Sequence, residues 1–121
     1  MGSRPTFRVP LRVVFYREGE DWMAHCLEFD LIGDGPTRDD ALEVLSQVIA
    51  LQVHASLEHN NPANLFSAAD GKVFRMFAEG TDVADAILEV GLLDQFRSDP
   101  FIIEGLEARE YEDSGAELAT T

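Results

Sequence analysis

Apolar side chains alternate along residues 9–17, Val-Pro-Leu-Arg-Val-Val-Phe-Tyr-Arg, a stretch rich in β-branched and aromatic residues. In an extended chain Leu11, Val13 and Phe15 share one face, and Arg12, Val14 and Tyr16 share the other. Glu18-Gly19-Glu20-Asp21 is a polar turn, with Gly19 able to take a positive φ. Trp22-Met23-Ala24-His25-Cys26-Leu27-Glu28 follows as the returning strand, so this region predicts a β-hairpin. Leu31-Ile32-Gly33 is a further short apolar run that can pair as a third strand, ended by the turn residues Asp34-Gly35-Pro36.

The period then changes from two to that of a helix. Thr37-Arg38-Asp39-Asp40 forms a capping-box pattern, with a hydroxyl for the orphan N–H groups and a carboxylate three residues on. Asp39, Asp40 and Glu43 place negative charge at the positive end of the helix dipole. Ala41, Leu45, Val48, Gln52 and Ala55 recur at helical spacing, flanked by Leu42, Val44, Ile49 and Leu51. A face that wide predicts a helix of about 20 residues packed on a sheet and stopping before Asn60-Asn61-Pro62.

The second half is less regular. Ser67-Ala68-Ala69-Asp70 reads as a cap for a helix carrying Val73, Phe74, Met76 and Phe77, with Gly80 as its stop. Thr81-Asp82-Val83-Ala84-Asp85 reads as the start of another, ended by Gly91, so a helical extension is expected over about 67–93. Asp99-Pro100 breaks the chain, and a late strand is expected over about 101–106. Residues 107–121 are acidic and poor in apolar side chains, which predicts a disordered tail. A single α+β domain is thus expected over residues 1–106.

Charge changes the functional picture more than the structural one. Nine Lys and Arg face 23 Asp and Glu among 121 residues, a net charge of −14. Such a surface is well solvated, and its field favours basic partners. Nucleic-acid binding instead rests on Lys and Arg neutralising phosphates, and the sole Lys is Lys72. Arg4, Arg8, Arg12 and Arg17 form the only basic cluster; a small stripe there is possible, with Arg8 and Arg12 expected on a solvent face. Cys26 is the only cysteine, so no disulfide framework is expected. No apolar run approaches 18 residues and no signal-type segment opens the chain, so a cytoplasmic protein is expected.

The stretch Trp22 to Asp30, then Gly35, then Thr37-Arg38-Asp39-Asp40-Ala41-Leu42, resembles the HicB-like antitoxin family. The family pattern is an aromatic residue opening the second strand, a Cys-Leu-Glu-aromatic-Asp run, and a Gly-x-Thr-x-acid-acid-Ala-Leu turn into the helix. Here Asp39 and Asp40 stand where Glu is usual, and the resemblance covers roughly residues 9–60. It implies a β-β-β-α-β core like a partial RNase H fold, an antiparallel sheet with one long helix packed on it. It also implies a homo-oligomer, dimer or tetramer, and a partner of the HicA type: a small basic toxin that cleaves RNA. Many members carry a DNA-binding segment as well. Residues 61–121 hold four basic residues against 13 acidic ones, so DNA binding is not expected of this chain. A solitary member with a structural or regulatory role and no toxin remains the alternative.

Catalysis is not expected. A metal-dependent nuclease of RNase H type needs a carboxylate in the middle of the first strand, where Val13-Val14-Phe15 stand. Asp30, Asp34, Asp39, Asp40 and Glu43 are expected to gather around the start of the helix as capping and solvating groups, which leaves a nuclease or hydrolase as a remote alternative. His25 and Cys26 are strand neighbours and point to opposite faces, so they cannot form a base–nucleophile pair. Cys26 is expected in the core and His25 on a solvent or partner face. His54, Glu58 and His59 read as an exposed helix end, with spacing poorly suited to a metal. No Gly-rich phosphate loop, Gly-x-Ser-x-Gly or CxxC motif occurs, so no cofactor is expected. Trp22 can be either core or an interface aromatic. Trp22, His25, Asp39, Asp40 and Glu43 are the expected partner-binding residues.

Overall fold

The computed structural model describes residues 7–58, 67–83 and 101–112. They form an α+β arrangement: β1 (Phe7–Glu18), β2 (Asp21–Cys26), β3 (Leu31–Gly35), α1 (Arg38–Glu58), α2 (Gly71–Glu79), β4 (Thr81–Asp82) and β5 (Phe101–Glu110). The strands make one five-stranded sheet in the order β3-β2-β1-β5-β4. Among the described residues no helix is long and apolar enough to cross a membrane.

The hairpin forms as expected. Glu18 pairs with Asp21, leaving Gly19-Glu20 as a two-residue loop. Gly19 sits at φ 66, the positive value required at the first position of a type II′ turn, whose twist suits a hairpin. β3 pairs antiparallel with β2. The sheet is not antiparallel throughout, however: β5 runs parallel beside β1. Parallel pairing needs a long crossover, and the chain between β1 and β5, with both helices, supplies it.

Alternation along β1 puts its two faces in two different cores. Leu11, Val13 and Phe15 pack with Ala24 and Cys26 beneath Ala41, Leu42, Leu45, Ile49 and Val53 of α1. Val14 faces the other way, against Leu27 and the α2 side chains Val73, Met76 and Phe77. The sheet is covered on both faces, not by one helix alone.

The buried face of α1 departs from the expected stripe. Val48, Gln52 and Ala55 are only half-buried, while Ile49, Val53 and Ser56 are buried. The expected positions repeat every seven residues, and a straight helix of 3.6 residues per turn drifts away from such a repeat by about 20° per heptad. The two patterns agree at Ala41 and Leu45 and part after one further turn. Thr37 caps the helix as expected, accepting from the Asp40 N–H at 3.1 Å.

Three expectations in the second half need correction. α2 stops at Gly80, as its sequence implies, but its N-cap Asp70 makes no side-chain capping bond. Thr81 and Asp82 do not begin a helix; they pair antiparallel with Glu110 and Arg109 of β5. The Val83 N–H extends that pairing to the Ala108 carbonyl at 3.0 Å, and Asp82 meets Arg109 at 3.3 Å. The rest of that expected helix, from Ala84, lies outside the described residues. Finally, β5 continues to Glu110, into the stretch expected to be a tail. Leu106 and Ala108 face the α1 core between outward Glu107 and Arg109, an alternation that the density of acids conceals. The remainder of that expected tail, 113–121, lies outside the described residues.

Candidate functional site

Two places gather the chemically able side chains, one on each face of the sheet. The first is the corner where β2, β3 and the start of α1 meet. Trp22 pairs with Gly35, and Gly35 lies against the backbone and Cβ of Asp40. Trp22 is half-buried and packs on the α1 core. The guanidinium of Arg17 sits over its ring at 5.1 Å and that of Arg38 at 5.9 Å. Arg38 also reaches Glu110 of β5 at 3.1 Å. Asp39, Asp40 and Glu43 are exposed, and their spacings of three and four residues set them side by side on the helix surface. Asp34, on β3, is exposed nearby. Four of the five expected partner residues therefore share this corner.

His25 does not. It is 6% exposed, on the opposite face of the sheet, where it was expected to be accessible. Its Nδ1 lies 3.0 Å from the Tyr16 hydroxyl and its Nε2 lies 2.7 Å from Oδ1 of Asp30. Asp30 is thereby drawn away from the helix start where it was expected. It holds a left-handed backbone, φ 54, in a turn closed by its own N–H to the Cys26 carbonyl at 3.0 Å. An aspartate tolerates that conformation better than most side chains.

Hydrogen-bond arithmetic fixes one end of this chain of groups. A carboxylate only accepts, so Nε2 carries a proton and donates it to Asp30. The second bond joins Nδ1 and the Tyr16 hydroxyl, either of which can supply its hydrogen. Carboxylate, imidazole and hydroxyl in a row are also the outline of a nucleophile-activating relay. The phenol argues against that use. Burial, then the nearby charges of Glu18 and Asp30, raise the Tyr16 pKa above its usual value, the reverse of an activated nucleophile. The arrangement acts as a clasp that joins β1, β2 and the turn at Asp30.

Neighbouring groups tie the same face together. Glu28 accepts from the Arg12 backbone N–H at 2.8 Å and from its Nε at 2.6 Å, while the guanidinium lies over Phe74 and Phe77 of α2 at 5.2 and 5.9 Å. Arg12 thus lies against α2 while its side chain stays 42% exposed, in keeping with the solvent face expected of it. Arg109 lies 4.5 Å from the Phe77 ring centroid and donates to the Phe77 carbonyl at 3.1 Å, anchoring the end of α2. Cys26, on the α1 side, is fully buried, as expected. Burial above all pushes its thiol up to about 12, with Glu28 adding to the rise while the Phe29 N–H opposes it. Such a thiol is inert at neutral pH. Among the described residues no group of three or more His, Cys, Asp or Glu is placed to hold a metal ion. His54 and Glu58 form an exposed pair at 3.1 Å, and His59 lies outside the described residues.

Comparison of the chain with family models, with curated proteins and with solved structures returns no match. Its residues alone must carry a functional reading. Tyr16 and Glu28 were not singled out as site residues, and Asp30 only as an acid near the helix start, though a signal for Tyr16 existed. A two-residue turn at Gly19-Glu20 sets Tyr16 opposite Met23, which makes it the diagonal neighbour of His25 on the same face.

Proposed function

We propose that this chain is a protein-binding module of the HicB-like antitoxin type, and that it docks a small basic protein at the corner formed by β2, β3 and the start of α1. The observation that carries the reading is the exposed acidic set Asp39, Asp40 and Glu43 beside the half-buried ring of Trp22. An aromatic anchor next to carboxylates suits a partner rich in Lys and Arg. Three strands, a long helix and a closing strand beside the first follow the β-β-β-α-β order implied by the resemblance once α2 and the two-residue β4 are set aside as insertions, which supports a partial RNase H-like core. β3 is an edge strand of the sheet, and pairing between two such edges is a route to the homo-oligomer the family resemblance implies. The clasp around His25 serves in this reading as structure, not as catalytic machinery.

The test is purification of the tagged protein from its native host at low salt, followed by mass measurement and binding assays. A small basic protein is expected to co-purify. Changing Asp39, Asp40 and Glu43 together to Lys should weaken its affinity by about tenfold or more at low salt, since such charges act through a screened field. Absence of any basic partner, or unchanged affinity in the triple variant, would sink the reading.

A further inference from the structure

β3 ends the sheet, and hairpin geometry fixes which backbone groups lie on its outer edge. In a two-residue hairpin the closing residues bond to each other, so Glu18 with Asp21, Tyr16 with Met23 and Val14 with His25 are bonded pairs. The Leu27 N–H keeps the same phase, donating to the Arg12 carbonyl at 2.9 Å. The backbone groups of Trp22, Ala24 and Cys26 therefore turn towards β3 and meet those of Gly35, Gly33 and Leu31. This leaves the N–H and C=O groups of Ile32 and Asp34 pointing outward, with no strand beside them among the described residues. Lysines and prolines commonly guard such an edge, and the strand Leu-Ile-Gly-Asp-Gly holds neither. The opposite edge, β4, is guarded by its shortness, Thr81–Asp82 alone.

Apolar surface borders the open edge on both faces. Gly35 lies against Asp40 and Gly33 against the backbone of Ala41 and Leu45, so α1 runs over β3. Counted on by helical turns from Asp40, the side chains of Val44, Val48 and Leu51 form a row along that same flank of α1. Val44 and Val48 are half-buried, and Leu51 is 72% exposed. On the other face of β3, Ile32 is 41% exposed and shares its side with Asp34. Ile32 and Leu51 are the exposed large hydrophobics among the described residues, and both border this one strand.

We propose that the β3 edge takes up an extended segment of the basic partner as a sixth strand, one in which apolar and basic side chains alternate. The proposal rests on the reading of this corner as a dock for a basic protein and supplies the mode of binding. Strand addition satisfies the outward groups of Ile32 and Asp34. Apolar side chains of the added strand pack on Val44, Val48 and Leu51, and its Lys or Arg side chains lie on the other face beside Asp34. Pairing with a second copy would use the same backbone groups, so the two uses compete. Charge favours the basic segment, because a second copy brings its own Asp34 and Asp40 to the edge, like charge against like.

The probe is the peptide Val-Lys-Val-Lys-Val-Lys-Val, amidated and carrying a fluorescent label at its N-terminus. Its anisotropy is followed as the full chain is added at low salt, and saturable binding is expected. Two further peptides carry backbone N-methyl groups, one at every lysine and the other at every inner valine. Each pattern removes the donors along one edge of the extended peptide. One of the two should bind about tenfold more weakly, the equivalent of two lost hydrogen bonds, and the other should bind as the parent does. Loss at the lysines assigns antiparallel addition, and loss at the valines assigns parallel addition. Ile32→Pro removes an outward donor at a position where proline is tolerated, and should weaken the parent peptide about fivefold. Ile32→Val keeps that donor and should leave binding unchanged; urea midpoints confirm that both variants are folded. Equal binding of the two methylated peptides overturns strand addition, and if Asp39→Lys, Asp40→Lys and Glu43→Lys together still abolish binding, the acidic dock stands without it. Absence of saturable binding also overturns the proposal. So does a dimer that excludes the peptide and is broken by Ile32→Pro, which assigns the edge to a second copy.

Discussion

The two faces of the sheet are built on different terms. Under α1 the contact is dry and close: Gly33 lies directly against the backbone of Ala41 and Leu45, and Ala24, Cys26, Leu42, Leu45 and Ile49 fill the space between layers. Under α2 the apolar patch is smaller and is edged by polar devices: Arg12 with Glu28, Arg109 with the end of α2, and His25 between Tyr16 and Asp30. Apolar packing needs only shape, so the α1 face holds the fold. Paired polar groups hold particular atoms in particular directions, so the α2 face is the one whose side chains are individually oriented. Apolar packing and polar pairing are thereby separated across a single sheet, with strand β1 serving both by alternation.

The sharpest way to break that comparison is at Gly33. An added Cβ there would collide with the Leu45 N and the Ala41 carbonyl, which belong to helix backbone and cannot swing aside. Gly33→Ala should therefore lower stability by roughly 3 kcal/mol or more, an overpacking penalty at the high end of the usual range. Urea unfolding followed by circular dichroism measures it. A loss below about 1 kcal/mol would mean that α1 sits farther from β3 than the structure has it.

The next test weighs the two faces directly. Leu45→Ala removes a side chain 1% exposed in the α1 core, and Met76→Ala removes one 9% exposed in the α2 patch. Large-to-small changes of this kind cost roughly 2–5 kcal/mol, more where the surroundings cannot close in. Leu45→Ala is expected near the top of that span and Met76→Ala near the bottom, a gap of about 2 kcal/mol. Equal losses in urea would show that α2 is as deeply built into the fold as α1.

What the sequence made legible follows the same division. The hairpin, the third strand and the Thr37 cap were readable because each rests on local chemistry: alternation, a glycine turn and a hydroxyl. The two faces of β1 were readable for the same reason. The α1 stripe was readable only through Leu45, since a seven-residue repeat and a straight helix diverge with length. The start of β5 was readable, but its continuation to Glu110 was hidden because Glu107 and Arg109 carry charge and leave only Leu106 and Ala108 to mark the period. The burial of His25 was hidden because it depends on two partners, one across the hairpin and one beyond the strand in a left-handed turn. Neither Asp30 nor Tyr16 announces such a role by itself; only the register joins them.

The last test is one of pH, and it separates the faces by their titrating groups. Cys26 points into the α1 core, and burial raises its thiol from 9.0 to about 12. Below pH 9 the thiol is protonated in folded and unfolded chains alike, and its contribution is fully present. Above that value the unfolded chain ionises first and binds fewer protons, so stability falls until the folded thiol also ionises near 12. The slope from this one group is at most about 1.4 kcal/mol per pH unit. Tyr16, half-buried under α2, is also shifted upward and acts in the same direction, but it is better solvated. Urea midpoints taken between pH 8 and pH 11 should therefore lose more of their downward slope in Cys26→Ala than in Tyr16→Phe. If the two variants flatten the slope equally, or if the folded protein reacts with a thiol reagent at neutral pH as readily as the unfolded chain, the α1 face is not the dry layer its packing describes.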